Sequence, residues 1–205
     1  MKLLRAFIIS GFMTLGLAHV CLAAEKFNLD KAETTIRFAV SYFILTSVSG
    51  HFNDFTGSFV IDRDDPENSS VDMVIQTDSV DTGFAARDSE IRGPGLFNAA
   101  LYPEMHFHSH IFEIGPEDNA GHIIGELSLH GVTKPMVLDL HQVAGKHNSD
   151  TVGFVVTGQI KRSDFGMDGF MIPVGDIVTL LVCYNVQDCK ARDTISEVNR
   201  PLYNP

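Results

Sequence analysis

Thr35-Ile36-Arg37-Phe38-Ala39-Val40-Ser41-Tyr42 alternates apolar side chains with polar or small ones at a period of two. A strand sends successive side chains to opposite faces. Ile36, Phe38, Val40 and Tyr42 therefore share one face, and Thr35, Arg37, Ala39 and Ser41 the other. The same period recurs outward from this run. It is carried by Phe52/Phe55 and Phe59/Ile61, with Gly57 expected as a turn between them, and by Val71, Met73 and Ile75. It continues through Met105, Phe107, Ser109 and Ile111, through 123–129, and through Met136, Leu138 and Leu140. Phe154, Val156, Gly158 and Ile160 repeat it, as do Val178, Leu180, Val182, Tyr184 and Val186. Asp64-Asp65-Pro66, Gly115-Pro116, Gly131, 145–150 and 166–175 supply turn chemistry between these runs. About eight short strands with hairpin-length connections predict a mainly β fold, an antiparallel sandwich or a closed barrel. Only 82–92 departs from the pattern. Phe84, Arg87, Asp88 and Ile91 suit a short helix ended by Gly93-Pro94.

The ends of the chain read differently. Residues 1–24 have the form of a secretory signal. Lys2 and Arg5 precede an apolar run over 6–18, and Cys21-Leu22-Ala23-Ala24 allows cleavage after Ala23 or Ala24. This predicts a periplasmic protein. An uncleaved N-terminal anchor and a lipoprotein through Cys21 are the alternatives, but Ala18-His19-Val20 is a poor match to a lipoprotein box. Residues 25–190 then form one domain and 191–205 a C-terminal tail. Cys183 and Cys189 remain after cleavage. On an extended strand they would stand roughly 20 Å apart, so pairing needs a turn near Gln187-Asp188. Free thiols or an intermolecular bond are the other outcomes.

Composition excludes some functions. The 205 residues carry a formal net charge of −11, and removing Lys2 and Arg5 makes the remainder more acidic still. A nucleic-acid binder would show a basic footprint, and none is present. No nucleophile elbow, phosphate loop or dinucleotide fingerprint occurs. Serine, histidine and aspartate are plentiful, as at Ser128, His130, Ser163 and Asp164, yet form no recognisable catalytic motif.

Other residues leave two readings open. His106, His108 and His110 project from one side of a strand, a workable metal spacing, or merely a solvated outer face. Arg87-Asp88 and Arg92 form surface ion pairs, or face an anionic or polar head group if the helix stands at a cavity mouth. Gly131-Val132-Thr133-Lys134-Pro135 reads as a tight hairpin. Arg162-Ser163-Asp164-Phe165-Gly166 reads as a turn in which Ser163 and Asp164 bond local backbone. The Phe- and aliphatic-rich strand faces can fill a packed core or line a barrel that encloses one ligand.

Taken in order, several stretches resemble the YceI family of periplasmic, lipocalin-like, polyisoprenoid-binding proteins. They include Ile36-Arg37-Phe38, Val48-Ser49-Gly50-His51-Phe52, Phe55-Thr56-Gly57, Asp81-Thr82-Gly83, and Arg87-Asp88 with Ile91-Arg92. Tyr102-Pro103, Gly125-Glu126-Leu127, His130-Gly131-Val132-Thr133-Lys134-Pro135, Arg162-Ser163-Asp164-Phe165-Gly166 and Val174-Gly175-Asp176 complete the set. The resemblance implies an extended lipocalin-like antiparallel β-barrel of about eight strands with one short helix near its opening. It implies a non-enzymatic carrier with no cofactor. The ligand would be a quinone, prenyl phosphate or other long-chain lipid held inside.

The expected lining is Phe38, Val40, Phe52, Phe59, Ile75, Phe84, Ile91, Phe97, Phe107, Leu129, Phe154, Val156, Leu180 and Val182. Arg92, then Arg87 and Tyr42, are the expected head-group contacts. Transient contact with a membrane or membrane protein, and a homodimer, are the expected partners besides the ligand. Where the family often has Lys-His and His, this chain has Ser41-Tyr42 and Glu90, and its 145–150 stretch is shorter than usual. The competing reading from another class is a metal-binding exported protein using His106, His108 and His110.

Overall fold

A computed structural model describes residues 24–43, 46–62, 65–115, 120–144, 152–170, 173–186 and 189. The expected signal segment ahead of Ala24, the 145–150 loop and the 191–205 tail lie outside the described residues. The chain forms β1 (Glu25–Asn28), β2 (Thr34–Tyr42), β3 (Thr46–Phe52), β4 (Phe55–Ile61), β5 (Ser70–Gln76) and β6 (Val80–Asp81). Helix α1 (Ala85–Arg92) follows, and then β7 (Glu104–Ile114), β8 (Ala120–Leu129), β9 (Val132–Ala144), β10 (Val152–Lys161) and β11 (Val174–Tyr184). Among the described residues no helix is long and apolar enough to cross a membrane.

All eleven strands belong to one antiparallel sheet in the order β1-β4-β5-β7-β8-β9-β10-β11-β2-β3-β6. The sheet curls into a barrel-like cup. Its two ends are joined by the chain itself, because β3 runs into β4 through Asn53 and Asp54. Opposite that bend, β5 passes through a short 3-10 turn into β6. The bend is held by Asn53 N–H donating to Ser79 C=O at 3.1 Å and Gln76 N–H to Asp54 C=O at 2.9 Å.

The extra strands relative to the sequence expectation are β1 and β6, and the expected Phe52/Phe55 run is divided, with Phe52 ending β3 and Phe55 opening β4. β1 and β6 are too short to show alternation, and Thr46-Ser47-Val48-Ser49-Gly50-His51 in β3 is too polar to display it. Gly57 is not a turn. It sits inside β4 opposite Met73, where an added Cβ would meet Asp72 C=O at 2.3 Å. The close approach of β5 is what requires glycine there. The expected hairpin at Gly131 does form, with His130 and Gly131 both at positive φ (53° and 76°), the signature of a two-residue type I′ turn.

The expected inward face of the His-rich strand holds only in part. A bulge between Ser109 and Ile111 leaves His110 unpaired. One inserted residue reverses the parity beyond it, so Phe112 is buried and Ile111 is exposed. At its other end β11 stops at Tyr184, two residues short of the expected run. Asn185 turns the chain at φ 51°, and Cys183 and Cys189 form a disulfide with Cα atoms 6.1 Å apart. The pair is buried against Val155 and Leu181.

The strand registers separate two ends of the cup. One gathers the end of β2 and the start of β3, the 77–103 segment with α1, the β8–β9 hairpin, 162–170 and the start of β11. The other gathers Glu25, the ends of β4, β7 and β9, the starts of β5, β8 and β10, and Cys189. The second end is closed by rings. Phe27 stacks on Phe59 at 4.7 Å between centroids, and Phe154 and Tyr184 meet both of them edge-on or tilted within 6.3 Å. Burial pushes the Tyr184 phenol up, and nearby Glu33 and Asp30 push it the same way.

A candidate lipid site inside the cup

Above this aromatic floor lies a cavity of about 580 Å³. It falls within the range of small-molecule sites. Parity builds it. Ile36, Phe38, Val40 and Tyr42 of β2 point in, as do Met73 and Ile75 of β5, Met105 and Phe107 of β7, and Leu127 and Leu129 of β8. Met136 and Leu138 of β9, Val156 and Ile160 of β10, and Val178, Leu180 and Val182 of β11 complete the wall. At the inward position between Val156 and Ile160 stands Gly158, where a Cβ would meet Leu138 Cδ2 at 2.5 Å. The missing side chain there lets Leu138 pack.

Of the residues named from the sequence, Phe38, Val40, Tyr42, Phe52, Ile75, Phe84, Arg87, Ile91, Phe97, Phe107, Leu129, Val156, Leu180 and Val182 line this cavity. Phe59 and Phe154 do not. They belong to the floor and border a smaller void of about 60 Å³ that shares Met73, Phe107, Leu138, Val156 and Val182 with the main cavity. Arg92 is placed elsewhere as well. Its Nε and Nη2 donate to the carbonyls of Asp78 and Val80, both at 2.6 Å, so it ties α1 to the β5–β6 connection and points away from the cavity.

Arg87 stands at the polar end. Its Nε donates to Thr82 Oγ1 and its Nη2 to Thr82 C=O, both at 2.8 Å, and the guanidinium lies 5.9 Å from the centre of the Phe84 ring. Thr82 is fixed in turn by the buried Asp88 carboxylate, which accepts its N–H at 2.9 Å and its hydroxyl. This relay fixes a cation in the cavity lining. Glu90, the departure from the family pattern, also lines the mouth.

The 162–175 segment was the least legible part of the site. Arg162 is 2% exposed and borders the cavity. Its Nε donates to Gly175 C=O (2.9 Å), Nη1 to Met167 and Gly169 (both 2.6 Å) and Nη2 to Val174 (3.1 Å). Burial pulls its pKa down, against the pull of Asp176 and Asp168. Ser163 does not bond local backbone as expected. Its N–H and Oγ–H donate to the two oxygens of Asp176 at 2.9 and 2.8 Å, and these bonds hold that carboxyl below its usual range. Arg162 and Ser163 thus pin a loop that carries Met167, Phe170 and Pro173 to the rim. No periodic pattern marks those three residues in the sequence. In contrast, Ile36, Met73, Met105, Leu127, Ile160 and Val178 share the parity of named lining residues on their strands, and Met136 and Leu138 belong to the alternating run over 136–140.

The His face carries carboxylate partners. His106 Nε2 lies 3.1 Å from Glu104, His108 Nδ1 contacts Asp72, and His110 Nε2 lies 3.5 Å from Glu126, all half exposed. Among the described residues no three His, Cys, Asp or Glu side chains are grouped to hold a metal ion. Ser128, Ser163 and His130, which carry no catalytic motif in the sequence, have structural partners. Ser128 Oγ bonds Thr133, Ser163 bonds Asp176, and His130 Nδ1 bonds Phe165 C=O.

An apolar cup with a ring-packed floor and one polar residue relay at its mouth defines a class: single-domain β proteins with a ligand-sized interior. The chain matches the YceI-like domain over residues 27–184. It is 34% identical over 165 residues to a UPF0312 protein of Yersinia pestis, covering 78% of this chain and 84% of that one. A UPF0312 protein of Pectobacterium atrosepticum is 33% identical over 172 residues, covering 82% and 88%. This chain belongs to the YceI-like family.

Solved structures agree on the fold. BcnA of Burkholderia cenocepacia superposes with a TM-score of 0.67 at 22% identity, covering 76% of this chain and 97% of that one. The Campylobacter jejuni YCEI protein gives 0.59 at 28%, covering 72% and 90%. A polyisoprenoid-binding domain from Saccharophagus degradans gives 0.53 at 16%, covering 78% and 98%.

Proposed function

We propose that this protein binds a single amphiphilic lipid, its apolar tail inside the cup and its polar head at Arg87, and carries it without chemical change. The observation that supports the reading is the apolar cavity of about 580 Å³, bounded at its inner end by Met73, Phe107, Leu138, Val156 and Val182 and open at the other. Water gains little from contact with such a wall, and each Å² of tail surface removed from water contributes roughly 25 cal/mol. That surplus offsets the cost of immobilising a flexible tail. The wall is generic along its length, so selectivity belongs at the mouth. Arg87 suits an acceptor group such as a quinone carbonyl or a phosphate oxygen. An isoprenoid is the ligand class favoured by family membership and by the name of the Saccharophagus degradans domain. The signal-like segment over 1–24 supports export to the periplasm, where such a lipid has no soluble path of its own. The reading is of a binding protein that works without a cofactor, not of an enzyme.

Native mass spectrometry of protein recovered from its own cells, followed by solvent extraction, tests this. One extractable lipid per chain is expected, and Leu180→Trp, which fills the middle of the cavity, should abolish it. Protein recovered empty, with no uptake of added isoprenoid or fatty acid, would rule the reading out.

A further inference from the structure

The exposed aromatic side chains among the described residues all stand at the open end. Tyr42 is 38% exposed, Phe43 63%, Phe84 60% and Phe170 48%. Three of them, Tyr42, Phe84 and Phe170, also line the cavity, so one apolar surface runs unbroken from the interior over the rim to the outside. Phe43 and Phe170 sit at φ 52° and 56°, a left-handed conformation that bulky side chains rarely adopt and that glycine or asparagine fills with less strain. Two strained turns that each present a phenylalanine to water are costly for folding alone. They are also one unit. Phe43 N–H donates to Pro173 C=O at 2.8 Å, Val174 N–H to Phe170 C=O at 3.1 Å, and the Tyr42 and Phe43 rings meet edge-on at 4.8 Å.

We propose that this rim docks on the surface of an electroneutral lipid bilayer, with Phe43, Phe84 and Phe170 seated at head-group level and the cavity mouth facing the membrane. Aromatic rings favour that depth. Charge selects the kind of bilayer. With a net charge of −11 the chain is repelled by anionic lipid, and docking rests on ring insertion instead of a basic patch. The purpose of the contact rests on the lipid-carrier reading: a tail passes from bilayer to cup across apolar surface only. The contact itself does not depend on a ligand.

The test uses the chain from Ala24 onward, which carries every described element and leaves out the apolar run before it. Flotation is measured with phosphatidylcholine vesicles free of isoprenoid, with and without phosphatidylglycerol. The wild type should float with phosphatidylcholine. Phosphatidylglycerol should weaken binding at low salt, and added salt should restore it. Phe43→Asn relieves the strained turn and lies outside the cavity lining. It should keep or raise thermal stability and leave loading of a fluorescent fatty acid unchanged, while flotation falls about tenfold. Adding Phe170→Asn should lower flotation further.

Several results would overturn docking: no flotation of the wild type, equal flotation of Phe43→Asn, or flotation that requires phosphatidylglycerol and vanishes in salt. So would sedimentation showing a dimer that Phe43→Asn splits, because the rim would then cover a second copy. Phe43-dependent flotation by a protein that never loads a ligand would support docking and remove the carrier reading.

Discussion

Arg162 shows how one side chain can shape a site without touching the chemistry. Its buried guanidinium donates to the carbonyls of Met167 and Gly169 in the rim loop and of Val174 and Gly175 at the start of β11. Removing it leaves those acceptors short of donors in a place water reaches poorly. Arg162→Met should therefore cost roughly 3 kcal/mol or more in urea unfolding. Arg162→Lys should recover only part of this, since one ammonium cannot reproduce the planar fork. An unchanged urea midpoint for Arg162→Met would show that the loop holds itself. Arg87 is the counterpart at the mouth. It is part-buried and held by two hydrogen bonds to Thr82 and the Phe84 ring, so its loss should weaken ligand binding while leaving stability nearly intact.

Two connections between elements carry their own expectations. The Ser163–Asp176 bonds join the segment after β10 to β11 near its start, and they depress the Asp176 pKa. A carboxyl lowered on folding contributes stability above its unfolded value, about 3.9, and loses it as pH falls through the lowered folded value. Ser163→Ala should thus raise the pH at which acid unfolding begins, read by circular dichroism between pH 5 and 2, with little change at neutral pH beyond the lost bond. At the other end of β11 the Cys183–Cys189 bridge closes a short loop. Chain entropy puts its contribution at about 2 kcal/mol. Reduction should lower stability by that amount and leave ligand loading unaltered, because the bridge lies at the end away from the mouth.

The whole molecule is a cup whose depth is set by rings. Met73, Phe107, Leu138, Val156 and Val182 border both the main cavity and the small void beneath it, and so form the partition between them. Phe107→Ala should merge the two spaces. The expected result is a shift toward longer tails in a series of isoprenoids of graded length, at a stability cost of about 3–5 kcal/mol. No change in length preference would place the tail's end above Phe107.

Period-two alternation determined by itself that Phe38, Val40, Phe107, Leu180 and their neighbours on the same strands face one side, since a strand has no other choice once its hydrogen bonds are made. That is why most of the wall was legible. The sequence could not say whether those faces meet and fill the space or stand apart. That depends on how far the sheet curls, and on Phe27, Phe59, Phe154 and Tyr184 meeting from four strands distant in the chain to close one end. The bulge at His110, the diversion of Arg92 to backbone carbonyls and the burial of Arg162 were likewise tertiary decisions. Each is settled by which neighbour arrives with an unpaired donor or acceptor, and a single strand does not carry that information.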